Sequence, residues 1–163
     1  MSNFWLEEAL GREGITLERA QVGDKYVLER MLAGDVVLGG EQSGHVIFRE
    51  LATTGDGVLT ALMLLDTLAA GDERLERIVD GIVPYPQVQI NVRVVEKPDL
   101  RAHQAIGPVV REVEQRLQGK GRVVLRYSGT EPVARVMLEG RDEELVHTEA
   151  ERLAAAIRDE LGA

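Results

Sequence analysis

Apolar residues fall at helical spacing from the first turns of the chain: Phe4, Trp5, Ala9 and Leu10 form one stripe ahead of Gly11 and predict an opening helix. The stretch around Ile15 and Leu17 reads as a short strand. Asp24 is placed to cap a second helix whose apolar face is Val27, Leu28, Met31 and Leu32, with Gly34 at its end. Short apolar runs at 35–38 and 46–48 predict two strands around a polar, glycine-rich loop. A long apolar helix over 58–70 comes next. Helices alternating with strands argue for an α/β layer. Such a layer normally opens on a strand, so a helix directly behind Met1 implies that a piece of the layer is missing upstream.

The pattern breaks at 81–87, where Pro84 and Pro86 flank Tyr85, favour extended backbone and forbid a continuing helix. This segment reads as a linker between a domain over 1–80 and another over 88–163. Beyond it Val88, Ile90, Val92 and Val94 alternate as one face of a strand. Ile106, Val109, Val110, Val113 and Leu117 then form a helical stripe. Strands at 123–127 and 133–138 and a final helix with Leu145, Val146, Leu153, Ile157 and Leu161 inward complete a small two-layer α+β domain.

Composition narrows the setting. With 163 residues, 44% of them hydrophobic, the chain can bury a core in one domain or two small ones. It has no cysteine, which excludes disulfides, thiolate nucleophiles and cysteine-based metal sites and fits a cytoplasmic location. No stretch approaches the roughly 20 apolar residues that a bilayer span needs, and the start lacks the layout of a signal peptide, so no membrane partner is expected. The formal net charge is −9, and its excess lies in residues 1–80, with 15 acidic side chains against 7 basic, while 81–163 hold 13 against 12. Nucleic acid needs a clustered basic face and is not an expected partner. An anion would have to be held locally.

Two loops offer groups to do so. Gly39-Gly40-Glu41-Gln42-Ser43-Gly44-His45 puts a carboxylate, a hydroxyl and an imidazole within five residues, a set able to hydrogen-bond neighbouring sugar hydroxyls. A solvated strand connection accounts for the same residues equally well. His45 has no partner at a metal-ligand spacing. Arg126-Tyr127-Ser128-Gly129-Thr130-Glu131-Pro132 lies between two strands and combines a guanidinium fork with hydroxyls and backbone N–H groups that suit phosphate oxygens. It lacks the lysine and adjoining helix of a Walker loop. The residue types favour a phosphate nest, and a tight turn with Arg126 paired to a surface carboxylate stays open. At Thr53-Thr54-Gly55-Asp56-Gly57 a helix start could attract an anion, but a capping role for Thr54 or Asp56 is the simpler reading. Asp24 and Lys25 are auxiliary candidates for proton handling near a sugar, and a helix start explains both equally. His103 and His147 read as surface positions on helices.

In order and spacing these three loops resemble the α-D-phosphohexomutase superfamily across essentially the whole chain. The phosphoglucosamine mutase branch is suggested by Glu41-Gln42-Ser43-Gly44-His45, where phosphomannomutase/phosphoglucomutase relatives more often carry methionine at the second position, and by Val22-Gly23-Asp24-Lys25-Tyr26-Val27. The resemblance implies a partial α/β third domain followed by a TATA-box-binding-protein-like fourth domain. It implies sugar binding by Glu41, Ser43 and His45, and phosphate binding by Arg126, Ser128, Gly129 and Thr130. The family has arginine where Lys25 stands, which weakens a role for Lys25.

The same resemblance implies the interconversion of glucosamine 6-phosphate and glucosamine 1-phosphate through a phosphoserine and a 1,6-bisphosphate. No Asp-x-Asp-x-Asp motif occurs in the sequence, and no counterpart of the phosphoserine loop is recognised. The expectation is therefore a chain with no catalytic residue and no metal ligand of its own, inactive alone, with Mg2+ and the serine residing in amino-terminal mutase domains. It would be either a fragment of such an enzyme or one half of a split one. Alternatives are a stand-alone sugar-phosphate-binding module, or a fragment with phosphomannomutase or phosphoglucomutase preference. An incomplete third domain would expose apolar surface and self-associate.

Overall fold

The computed structural model describes residues 1–72 and 74–162. It divides into two compact units, Met1–Val83 and Pro84–Ala163.

The first unit contains α1 (Phe4–Arg12), α2 (Asp24–Gly34), β1 (Leu38–Gly40), β2 (Val46–Phe48), α3 (Gly57–Gly71) and α4 (Leu75–Val79). Strands β1 and β2 form an antiparallel hairpin with Gly39 opposite Ile47. Met31 on α2 and Ile47 on β2 are its fully buried apolar side chains among the described residues. Helix α3 starts cleanly because the Asp56 carboxylate accepts the N–H groups of Val58 (2.8 Å) and Leu59 (3.0 Å), yet no α3 residue is buried. Val58, Leu62, Leu64 and Leu65 all stand exposed on this helix, whose apolar residues run around its circumference. Of the described large hydrophobic side chains left exposed, all but Val95 belong to this unit.

Several local elements differ from those expected. No strand forms around Ile15 and Leu17: the segment has no ladder partner among the described residues and is tied by ion pairs, Arg19 to Glu7 at 2.9 Å and Arg30 to Glu18 at 2.6 Å. Asp24 is the first residue of α2 rather than its cap, which is Gly23, and its carboxylate accepts the adjacent Lys25 N–H, at 2.8 Å. The strand expected at 35–38 starts at Leu38, because Asp35 is left-handed (φ 54°) and ends α2. Helix α4 is not foreshadowed by the apolar pattern; its five residues are too few to show a period.

The second unit holds β3 (Gln87–Arg93), α5 (Ile106–Leu117), β4 (Gly121–Tyr127), β5 (Val133–Gly140) and α6 (Glu143–Leu161). The sheet order is β3-β5-β4, antiparallel throughout. Alternation sends Ala134, Val136 and Leu138 of central β5 to one face, where they meet Ile106, Val110 and Val113 of α5 and Val146, Leu153 and Ile157 of α6 in one buried cluster. Each of the valine, leucine and isoleucine side chains among them contributes about 1.5–3 kcal/mol by leaving water. On the opposite face Glu139 is fully buried and paired with Arg122. His103 precedes α5 instead of lying on a helix, and its Nδ1 accepts the Ala105 and Ile106 N–H groups at 3.3 and 3.4 Å. Ion pairs also link α5 to α6: Arg116 meets Glu149 at 2.6 Å, and Arg152 meets both Glu149 (3.3 Å) and Glu112.

Candidate functional site

The two candidate loops lie in different units. In the first unit the 41–45 loop is a tight turn closing the β1–β2 hairpin, with the Glu41 N–H donating to the His45 carbonyl (2.8 Å) and the Gly44 N–H to the Glu41 carbonyl (3.1 Å). Gly44 has φ 89°, a conformation that glycine adopts without strain. One Glu41 carboxylate oxygen accepts the Gly23 N–H at 2.9 Å, joining the loop to the start of α2. The His45 ring lies against Gly55, where any Cβ would collide with it. Its Nε2 is 3.7 Å from an Asp24 carboxylate oxygen and makes no hydrogen bond among the described residues. Glu41, His45 and Asp24 are thus gathered at one helix start. Ser43 is exposed on the turn. Lys25 is drawn along α2 instead, its Nζ 3.8 Å from Glu29 and 6.0 Å from the Tyr26 ring centre.

The Asp56 carboxylate fills the N–H groups at the start of α3, so that helix end is capped rather than left open to an anion.

In the second unit residues 128–132 join β4 to β5. The Ser128 N–H donates to the Val133 carbonyl and the Val133 N–H to the Glu131 carbonyl, both at 2.9 Å, and Ser128 is only 3% exposed. Among the described residues the Gly129 and Thr130 N–H groups have no partner, and the Arg126 guanidinium has no carboxylate. Arg126 stands in direct register with Arg135 across the ladder. One Arg135 terminal nitrogen lies 3.5 Å from Ser128 Oγ and 3.3 Å from a Glu131 carboxylate oxygen, while its buried Nε donates to nothing described. Arg135, which reaches Ser128 and Glu131, a second arginine in register with it on the adjoining strand, and unfilled backbone donors therefore lie on or beside one loop. That donor set suits a phosphate monoester.

Sequence reasoning missed Arg135, which lies outside the loop. The signal was available: in a hairpin centred on this loop Arg135 is the mirror position of Arg126. Beside the loop, the Tyr127 hydroxyl donates to the Pro98 carbonyl at 2.7 Å. Burial first, then the charges of Asp99 and Glu96, push the phenol above its ordinary range and keep it a neutral donor. Among the described residues no three His, Cys, Asp or Glu side chains converge to hold a metal ion. No helix is long and apolar enough to cross a membrane.

Residues 1–85 match the family model for phosphoglucomutase/phosphomannomutase, alpha/beta/alpha domain III, and residues 90–156 match that for the C-terminal domain of the same family. Among curated relatives, the phosphoglucosamine mutase of Solibacter usitatus is 49% identical over 162 residues, covering 99% of this chain but 36% of the relative. That of Geobacter sp. is 46% identical over the same length, again 36% of the relative. The chain spans about a third of the length of the curated relatives it matches. Among solved structures, an N-acetylphosphoglucosamine mutase of Aspergillus fumigatus superposes with a TM-score of 0.78 at 19% identity, over 99% of this chain and 38% of that one. A second structure of that enzyme, in complex with GlcNAc-6P and magnesium, gives a TM-score of 0.53 at 23% identity over 66% of this chain and 22% of that one. These likenesses carry the fold.

Proposed function

The chain belongs to the phosphoglucomutase/phosphomannomutase family, and from that premise we propose that it supplies the sugar-binding and phosphate-binding parts of a phosphoglucosamine mutase. The observation that carries this reading is the 126–135 hairpin, where Arg126, Ser128, Gly129, Thr130 and Arg135 bring unfilled or weakly filled donors together on one loop and the strand ends beside it. They hold the phosphate that is not being transferred. Glu41, Ser43 and His45 hold sugar hydroxyls, with Asp24 beside His45 and Lys25 left outside this set.

The division of labour is set by the chemistry. Glucosamine 6-phosphate and glucosamine 1-phosphate are interconverted through a 1,6-bisphosphate that must turn around between two phosphoryl transfers, so its grip has to be firm and reversible. Hydrogen-bond donors provide that, and a nucleophile would not. The phosphoserine and the Mg2+ ligands belong to amino-terminal domains, in a cytoplasmic enzyme, and this chain alone does not turn over.

The test is a chimera in which this chain replaces the matching third of the Solibacter usitatus enzyme. The chimera is expected to interconvert the two glucosamine phosphates and to lose activity when Arg126→Ala is introduced, mainly through a raised KM. A folded chimera that is inactive, or indifferent to Arg126→Ala, contradicts the reading.

A further inference from the structure

We propose that Lys97 is a positioning residue for the phosphate loop: it fixes the Ser128–Gly129 peptide so that the Gly129 N–H faces away from Lys97 and toward the bound anion. The inference rests on the phosphate reading of that loop. Lys97 is 31 residues from Ser128 in sequence, but its Nζ donates to the Ser128 carbonyl at 2.8 Å. A trans peptide is planar, so the carbonyl of Ser128 and the N–H of Gly129 point in opposite directions. Holding one therefore aims the other.

The anchor is needed because the residue after Ser128 is glycine. Glycine tolerates both hands of backbone, so the peptide plane preceding Gly129 turns over at little steric cost. A Cβ built on Gly129 would meet no atom within 4 Å, so the space on its side-chain side is open. The loop is instead clipped from one side by the segment after β3. The Val94 N–H donates to the Pro132 carbonyl at 2.9 Å, Lys97 takes the Ser128 carbonyl, and the Pro98 carbonyl accepts the Tyr127 hydroxyl at 2.7 Å. Two of these contacts hold the loop's ends. Of the three, only the Lys97 contact acts on a peptide whose N–H, that of Gly129, is unfilled. Its charge also adds to the field of Arg126 and Arg135 without touching the ligand.

The experiment titrates the 15N-labelled chain with glucosamine 6-phosphate, as wild type, Lys97→Met, Lys97→Arg and Arg126→Ala, with thermal unfolding as the fold control. Loss of one charge-assisted contact predicts about tenfold weaker binding for Lys97→Met. The Gly129 amide, which shifts on binding in the wild type, is expected to respond far less in Lys97→Met at saturation, and Lys97→Arg is expected to restore both. A merely structural lysine would not single out the Gly129 resonance. Wild-type affinity and a full Gly129 shift in Lys97→Met, with binding lost in Arg126→Ala, overturn the role of Lys97 and leave the phosphate site standing. Undiminished binding in Arg126→Ala overturns both.

Discussion

Arg135 faces Arg126 directly across the β4–β5 ladder, yet among the described residues only Arg135 of the two has a carboxylate within reach, Glu131 at 3.3 Å. Like charges in register oppose folding, and a hairpin selected for stability alone would not keep them. Arg126→Met keeps most of the apolar stem and removes the repulsion. It is expected to raise the unfolding free energy by up to about 1 kcal/mol while abolishing stabilisation by added phosphate, both read from urea denaturation with and without the ligand.

Gly55→Ala tests the first loop. The added methyl would collide with the His45 ring, which must rotate away from Asp24 or push the 53–57 turn outward. Overpacking of this kind costs about 1–3 kcal/mol. The His45 ring resonances are expected to move in NMR spectra while those of the second unit stay in place.

The α5–α6 ion pairs set an acid limit on the second unit. The Glu112 carboxyl lies below its ordinary range, first because it accepts a hydrogen bond from Arg152 and then through the charge of that arginine. A carboxyl whose folded pKa is depressed stabilises the fold above its unfolded pKa, and the contribution is lost as pH falls through the folded value. Denaturant midpoints are expected to decline as pH drops below the ordinary glutamate range, and to decline less in Glu112→Gln. Because Glu112 is solvent-exposed, the difference between the two profiles is expected to shrink in high salt.

Leu62 and Leu65 of α3 stand about three-fifths exposed, at 59% and 61%, within the apolar surface of the first unit. Contiguous apolar surface of this sort drives association. Sedimentation velocity is expected to show concentration-dependent self-association of the chain, reduced by the double substitution Leu62→Glu and Leu65→Lys. A monomer at high concentration would contradict it.

How legible these features were depended on periodicity. In the second unit Val88, Ile90 and Val92 alternate without interruption, and Ile106, Val110, Val113 and Leu117 keep the helical interval, because each element buries one face against one core. In the first unit the same reasoning failed around Ile15 and misplaced β1, since three-residue strands carry too little alternation and α3 is apolar on all sides. The loop proposed to hold phosphate could be found as a string of adjacent residues. Arg135 and Lys97 could not be found that way, because one joins the loop through strand register and the other through a contact between distant segments.

The most direct test is an NMR titration of the isotope-labelled chain with glucosamine 6-phosphate, with Arg126→Ala as control. Shifts concentrated at Ser128, Gly129, Thr130 and Arg135, and absent in the mutant, are the predicted result. Shifts scattered elsewhere, or equally strong in Arg126→Ala, would contradict the assignment of this hairpin as the phosphate site.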